Sequence, residues 1–149
     1  MAHTHLNLLY HIIFSTKNRE PWLMGEIKER IYPYMAATLR NFKAETILIN
    51  GVPDHVHILC RLRATHSVAE VVRTLKRDTS VWVRKSFRRT AFAWQEGYGA
   101  FTVGASQKKS IHQYIAQQEE HHRKSSFQEE YLTMLKKSGI KYDERFVWG

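Results

Sequence analysis

The chain has 149 residues, of which 43% are hydrophobic and 12% aromatic, so it is long enough to bury an ordinary core and has a globular composition. Lys and Arg number 23 against 14 Asp and Glu, which gives a formal net charge of +9. An excess of that size favours a polyanionic partner, nucleic acid first and an anionic membrane second, although a merely soluble basic protein stays open.

The single cysteine and the hydropathy pattern limit where in the cell the protein is expected and how many domains it has. The single cysteine, Cys60, excludes an internal disulfide and fits a reducing cytoplasm. No run approaches the roughly 18 apolar residues that a membrane span needs, and no charged segment followed by an apolar one marks the N-terminus. We therefore expect one domain over residues 1–149, a cytoplasmic location and no membrane partner.

The first half of the chain predicts a strand, a helix and a hairpin. Residues 6–15 form a buried apolar run, followed by a basic loop at 16–19. Apolar residues recur at helical spacing over 22–43, where Pro33 is expected to kink or split the helix. Residues 45–50 and 55–62 then predict two strands joined by a turn at 51–54.

The second half predicts a further helix and strand before a helix with polar chemistry. Ser67 and Glu70 form a capping box that opens a helix. Residues 94–103 end in a short strand. Ser106 is expected to cap the next helix, which runs through Tyr114 and Gln118.

The order of these elements predicts the fold class. The predicted helix through Tyr114 and Gln118 continues towards His122. An amphipathic segment at 127–137 follows, and Gly139 is expected to end its helix. The order β-α-β-β-α-β with additional C-terminal helices predicts an α+β fold. It is the ferredoxin-like or RRM-like split βαβ arrangement, an antiparallel sheet with two helices on one face.

Two histidines in alternation indicate the candidate chemistry. His55 and His57 share one face of their predicted strand, whereas Cys60 falls on the opposite face as a core residue. Tyr114 and Gln118 lie four apart on the predicted helix and therefore share a face. Two imidazoles, an amide oxygen and a phenol suffice to hold Mg²⁺ or Mn²⁺ beside a nucleophile, a combination that can cleave a phosphodiester bond.

Each of these residues also has a purely structural interpretation. A His-x-His pair on a strand is often only half-buried polar packing, and a tyrosine on a helix is usually a packing residue. Asp54 can add a carboxylate or simply form the turn. His122 can position or deprotonate the phenol, or be a solvated histidine.

A basic stretch in the second predicted helix favours contacts to a nucleic-acid backbone. Seven cationic residues fall between positions 73 and 89, with only Asp78 opposing them. Trp82, Trp94 or Tyr98 are candidate stacking partners for bases. A solvated helix face is the alternative. The helix residues proposed to contact DNA are Arg73, Lys76, Arg77, Arg84 and Lys85.

Four segments together resemble the small single-tyrosine HUH transposases of bacterial and archaeal insertion sequences. They cover nearly the whole chain in the expected order. The segments are His-Ile-Ile-Phe-Ser-Thr-Lys-Asn-Arg at 11–19, Asp-His-Val-His-Ile at 54–58, Trp-Gln-Glu-Gly-Tyr-Gly-Ala-Phe at 94–101 and Tyr-Ile-Ala-Gln-Gln-Glu-Glu-His-His at 114–122.

The resemblance implies an activity, a site and partners. It implies a metal site at His55 and His57, completed by Gln118, with Tyr114 as the nucleophile. It implies cleavage and rejoining of single-stranded DNA beside hairpins at the element's ends through a 5′-phosphotyrosine. It also implies a homodimer, in which the tyrosine helix of one subunit can complete the metal site of the other.

Three other functions compete with the transposase. A non-catalytic single-stranded nucleic-acid-binding module on the RRM-like fold predicts binding that chelators do not affect. An HUH replication initiator or relaxase shares the chemistry but is usually larger, often with two tyrosines. A structural or dimerisation protein leaves the net charge unexplained.

Overall fold

The computed structural model describes residues 3–122 and 124–149. Within that part of the chain, no helix is both long and apolar enough to cross a membrane. The described strands are β1 (Leu8–Ser15), β2 (Glu45–Val52), β3 (His55–Leu62) and β4 (Gly99–Val103). The described α-helices are α1 (Gly25–Asn41), α2 (Val68–Ser86), α3 (Lys108–Ala116), α4 (Gln118–His122) and α5 (Phe127–Lys137).

The four strands form one sheet in the order β2-β3-β1-β4, and every neighbouring pair is antiparallel. β1 and β3 are the two central strands, with Ser15 opposite His55 and Ile13 opposite His57 of β3. With helices connecting β1 to β2 and β3 to β4, this is the split βαβ arrangement. The predicted α+β, ferredoxin-like fold is confirmed.

One face of the sheet packs against α1 and α2. Phe14 of β1 and Val56, Ile58 and Cys60 of β3 are fully buried in this core. Cys60 therefore lies opposite the histidines, as its position in the alternation predicted. Burial raises the pKa of its thiol to about 12, so it is a small apolar core residue.

The opposite face is covered by the C-terminal helices. Ile115 of α3 packs on Leu59 of β3, and Phe127 and Tyr131 of α5 pack against Ile13 of β1. These contacts take the histidine-bearing side of β3 out of solvent. Because the histidines are buried in this way, their pKa values differ from those of exposed imidazoles.

Two details of the helices differ from the prediction. Pro33 does not split α1, because the fully buried residues Ile31 and Met35 anchor the helix on both sides of it. Ser106 does not cap α3. It lies in a short 3-10 turn before that helix, where Gln107 Oε1 accepts the N–H of Gly104 at 2.9 Å.

The helix expected to run from Tyr114 to His122 is broken in two. α3 ends at Ala116, and α4 begins at Gln118. Asn50 of β2 explains the break, because its Nδ2 donates to the carbonyls of Ile115 at 2.9 Å and Ala116 at 3.3 Å. Those carbonyls sit at the end of α3, where they lack helical partners.

Candidate active site

His55 and His57 project from the start of β3 onto the sheet face beneath the C-terminal helices. Both side chains are fully buried. A strand that begins directly after the turn at 53–54 places the two rings on one face, and their centroids are 5.1 Å apart. The predicted alternation is therefore present in the structure.

Each histidine has a partner at its Nδ1 atom. Asp54 Oδ1 lies 2.8 Å from Nδ1 of His55, and Nε2 of His11 lies 2.8 Å from Nδ1 of His57. Such partners fix the orientation of an imidazole and leave Nε2 for a ligand. Asp54 thus contacts the imidazole. His11, opposite Leu59 in the β1–β3 pair, was not predicted as a site residue.

A carboxylate from α5 lies at the centre of the histidines. Oε1 of Glu130 is 2.9 Å from Nε2 of His57, 3.3 Å from Nε2 of His55 and 3.3 Å from Nε2 of His122. One ligand atom from each of these four residues lies within 4.8 Å of the others. The interpretation of His122 as a solvated histidine is wrong, because its side chain is only 11% exposed.

Glu130 was not predicted as a site residue, although the sequence carries a signal for it. The residue sits on the buried stripe of α5 that contains Phe127, Tyr131 and Leu135. A carboxylate on the buried side of an amphipathic helix needs partners, and here it finds imidazoles. Only the packing of α5 on the sheet identifies those partners.

Tyr114 reaches the cluster from α3. Its hydroxyl donates a hydrogen bond to Oε2 of Glu130. Its ring lies 5.8 Å from that of His57 and 4.5 Å from that of His121, measured between centroids. The predicted nucleophile and the predicted histidine pair are therefore brought together within one chain.

Gln118 is also buried in this region, as the first residue of α4. Its Nε2 donates to the carbonyl of Tyr114 at 3.3 Å, and its Oε1 is buried without a hydrogen-bond partner among the described residues. The prediction that Tyr114 and Gln118 lie on one helix is wrong, because Tyr114 belongs to α3 and Gln118 to α4.

Burial and charge shift the pKa values of the site in different directions. Burial lowers the pKa of His57 to about 4 and that of His11 to about 3. Burial also opposes the charge of His55, but its interactions with the carboxylates of Asp54 and Glu130 outweigh the burial and raise its pKa. The site therefore keeps His57 and His11 neutral near pH 7 and favours the cation at His55.

The pKa values of Glu130 and Tyr114 are shifted further from their ordinary values. Burial opposes ionisation of Glu130, yet its contacts with His122, His55 and His57 prevail and hold its pKa far below the usual range. Burial and the hydrogen bond to Glu130 raise the pKa of Tyr114. A neutral phenol thus faces an ionised carboxylate.

The residues of the cluster fit a divalent cation. Nε2 of His55, Nε2 of His122 and Oε1 of Gln118 are buried but have no hydrogen-bond partner in the described part of the chain. The two imidazole contacts to Glu130 at 3.3 Å lack hydrogen-bond geometry. Buried polar atoms left without partners cost stability, and a cation bound by all three would replace the missing partners.

Lys76 of the predicted basic surface is part of the scaffold. Its ammonium donates to the carbonyls of Gln95 at 2.9 Å, Glu96 at 3.3 Å and Gly97 at 2.6 Å. Burial lowers its pKa to about 8. The side chain therefore reaches across to the loop before β4 and is half-buried there.

The other four cationic residues are exposed on α2. Arg73, Arg77 and Arg84 line a groove of about 560 Å³ between this helix and residues 93–98. Arg77 pairs with Asp78 at 3.2 Å, and Nε of Arg84 donates to the carbonyl of residue 92 at 2.9 Å. Lys85 lies in the last turn of the helix.

The aromatic residues considered for base stacking have other partners. Trp94 is buried, and its indole N–H donates to Oγ1 of Thr79 at 2.9 Å, so it is not free to stack on a base. Trp82 stacks on Tyr34 at 4.3 Å between centroids. Tyr98 is half-buried, with the ammonium of Lys76 5.7 Å from its ring centroid.

Two solved structures share this fold. One is described as a candidate transposase from Deinococcus radiodurans. It superposes with a TM-score of 0.66 at 23% identity, covering 79% of this chain and 95% of that one. The other is a REP-associated tyrosine transposase bound to a REP hairpin. Its TM-score is 0.57 at 13% identity, covering 78% of this chain and 70% of that one.

Sequence relatives identify the family. The transposase for insertion sequence element IS200 from Salmonella typhimurium is 32% identical over 125 residues, covering 79% of this chain and 81% of that protein. The ISDra2 transposase TnpA of Deinococcus radiodurans is 24% identical over 117 residues, covering 74% and 84%. The family model described as IS200-like transposase matches residues 4–118. The chain therefore belongs to the IS200-like transposase family, which makes it a DNA strand transferase and confirms the resemblance that its motifs indicated.

Proposed function

We propose that this transposase cleaves and rejoins single-stranded DNA beside hairpins at the ends of an insertion element, through a 5′-phosphotyrosine on Tyr114. The observation that carries the proposal is the contact of Tyr114 with Glu130, whose other oxygen lies among the histidines. Hairpin DNA is the inferred substrate because a protein of the same fold is bound to a REP hairpin.

His55, His57 and Gln118 would hold Mg²⁺ or Mn²⁺ in this proposal. A bound divalent cation supplies positive charge to the scissile phosphate and so reduces its repulsion of an incoming phenolate. The chain's own contribution is to hold the ligands in place. Asp54 and His11 fix the two imidazoles through their Nδ1 atoms, so that both Nε2 atoms are available.

Tyr114 performs the bond exchange. Its phenolic oxygen attacks the phosphorus in line, a bond forms between that oxygen and phosphorus, and the bond from phosphorus to the 3′ oxygen breaks. Glu130 holds the phenol in position by accepting its hydrogen bond, the phenolic proton leaves to solvent water, and water returns a proton to the departing 3′ oxygen. A second 3′ hydroxyl can reverse the step and join new ends without ATP, because the phosphotyrosine keeps the bond energy.

DNA binding in the proposal uses the exposed cations of α2. Arg73, Arg77, Arg84 and Lys85 would contact phosphates along the groove beside residues 93–98. We further propose a homodimer. The contact between Tyr114 and Glu130 lies within one subunit, so the proposal does not require the tyrosine helix of a partner to complete the site.

A denaturing gel tests the proposed function. The protein is mixed with end-labelled single-stranded DNA from the flanks of its own gene, with Mg²⁺ or Mn²⁺. We expect a labelled band at the mass of the protein, which disappears with EDTA and in Tyr114→Phe. Tyr34→Phe is the matched control, because Tyr34 packs on Trp82, on the α1–α2 side of the sheet. A shift on a native gel without a covalent band under either metal would instead identify a binding module.

A further inference from the structure

Building on the proposed function, we propose that His122 and Glu130 bind the same cation as His55 and His57. The centre then has three imidazoles and one carboxylate, and it takes a divalent transition-metal ion such as Mn²⁺ in preference to Mg²⁺. Sequence patterns indicated neither residue as a ligand. Both follow from the way α4 and α5 cover the sheet.

The three distances between Oε1 of Glu130 and the histidine nitrogens are those of neighbouring ligands around a common ion. Metal–nitrogen and metal–oxygen bonds of about 2.1 Å place neighbouring ligands roughly 3.0–3.4 Å apart. Oε1 of Glu130 is 2.9 Å from Nε2 of His57 and 3.3 Å from Nε2 of both His55 and His122. The histidine nitrogens thus surround one carboxylate oxygen at ligand spacing.

Hydrogen bonding alone does not satisfy this cluster. Among the described residues, Nε2 of His57 has Glu130 as a partner, whereas Nε2 of His55 and Nε2 of His122 have none. His55 is fully buried, and the ring centroids of His55 and His122 lie 4.4 Å apart. A cation binds the lone pairs of all three nitrogens and of the carboxylate together. Oε1 of Glu130 has only two lone pairs, so it cannot accept hydrogen bonds from all three imidazoles.

The chemistry of the donors selects the class of ion. Imidazole nitrogen binds first-row transition-metal ions, with an affinity that is lowest for Mn²⁺ and rises through Co²⁺ to Ni²⁺, whereas Mg²⁺ prefers oxygen ligands and retains several waters. A set of two imidazoles and an amide oxygen is compatible with either class. Three imidazoles shift the preference to transition metals. Oε1 of Gln118, buried and without a partner, is available as a further ligand.

Both added ligands lie beyond the segment that the family model matches. That match ends at residue 118, whereas His122 is the last residue of α4 and Glu130 lies in the first turn of α5. α5 is fixed at its start by Ser126, whose Oγ accepts the N–H of Glu129 at 3.2 Å. Residues 119–137 would therefore supply half of the metal ligands.

Metal titration without DNA tests this centre. Protein freed of metal with EDTA and then dialysed is titrated calorimetrically with Mn²⁺ and with Mg²⁺, and the absorption spectrum of added Co²⁺ is recorded. The variants are His122→Ala and Glu130→Gln. His112→Ala and Glu144→Gln are matched controls on exposed side chains, and His57→Ala measures binding outside the centre. Thermal unfolding in EDTA verifies that each variant folds, with His122→Asn and Glu130→Asp as replacements for one that does not.

We expect one Mn²⁺ per chain, bound at least about tenfold more tightly than Mg²⁺, and a loss of about tenfold or more in each of the two variants. The Co²⁺ spectrum should change in both and in neither control. Mn²⁺ affinity equal to wild type in either variant would remove that residue from the ligand set, and tighter Mg²⁺ than Mn²⁺ binding would overturn the preference.

Failure of the four-residue metal centre and failure of the proposed function give different experimental results. A Tyr114→Phe protein should retain Mn²⁺ affinity, because the phenol is not among the ligands. If the covalent DNA band forms at the wild-type rate in His122→Ala, a residue that the proposed function does not use, the proposed function stands and the four-residue centre is wrong. If Tyr114→Phe still forms the band while the metal data hold, the reverse conclusion follows.

Discussion

Tyr114 and His57 are connected through a single carboxylate. Glu130 accepts the Tyr114 hydroxyl at Oε2, and its Oε1 lies 2.9 Å from Nε2 of His57. The contact joins α3 to α5 and both to β3. Because Glu130 is held ionised by its imidazoles, the negative charge next to the phenol opposes formation of the phenolate.

Glu130→Gln is expected to lower the pKa of Tyr114 in metal-free protein. The amide removes the negative charge but not the burial, so the phenol should ionise at lower pH than in wild type while keeping a pKa above the ordinary value. The measurement is an ultraviolet absorbance titration of tyrosinate, with Tyr114→Phe subtracted to isolate this one phenol. Glu144→Gln should leave the difference curve unchanged. An unshifted or raised pKa in Glu130→Gln would show that the carboxylate does not govern the phenol.

Ser126→Ala should destabilise the fold and the site together. The Ser126 hydroxyl caps α5 by accepting the N–H of Glu129, and loss of such a cap costs about 1 kcal/mol. Because α5 carries Glu130, fraying of its first turn should also weaken metal binding. Ser67→Ala is the matched control, since it removes the cap of α2, which packs on the other face of the sheet. Chemical denaturation should give similar losses for both variants, and a loss of metal affinity in Ser67→Ala as well would indicate a general effect of stability.

The positions of His55 and His57 could be predicted from the sequence because they depend only on the local geometry of a strand. Strand alternation is sufficient to place His55 and His57 on one face and Cys60 on the other, and both placements are found in the structure. The order of strands and helices likewise specifies the split βαβ sheet, because short connections leave few topologies.

The missed residues depend on contacts between distant segments. His11 meets His57 only because β1 pairs with β3, and Glu130 meets the histidines only because α5 covers that face of the sheet. The end of α3 was missed for the same reason. No glycine or proline lies near residue 117, and the side chain responsible, Asn50, is on β2.

Acid should destabilise the metal-free protein over a window set by two neutral histidines. His57 and His11 have pKa values of about 4 and about 3 when folded, below the ordinary value of 6.5. A depressed pKa gives stability that is present above pH 6.5 and is lost as pH falls through the folded value, on the order of 3–5 kcal/mol for each group. His55, whose pKa is raised, acts oppositely and loses its contribution as pH rises above 6.5.

Thermal unfolding in EDTA from pH 8 to pH 4 measures this dependence. We expect the midpoint to fall below about pH 6.5 and to fall less steeply in His11→Gln, which removes one titrating group. His112→Gln changes an exposed histidine and should retain the wild-type slope. A midpoint that is independent of pH between 6.5 and 4 would contradict the assignment of neutral, buried imidazoles.

Substitutions at two neighbouring cations of α2 should have opposite consequences. Lys76→Met leaves the carbonyls of Gln95, Glu96 and Gly97 without their donor, so it should lower stability by about 2 kcal/mol. Arg73→Ala removes an exposed charge at the groove and should leave the unfolding midpoint unchanged. If the proposed function is right, Arg73→Ala weakens binding to single-stranded DNA and reduces the slope of log affinity against log salt by about 0.7. Fluorescence anisotropy at several salt concentrations, beside thermal unfolding of both variants, separates the two roles. Normal DNA affinity and salt slope in Arg73→Ala would place the phosphate contacts elsewhere.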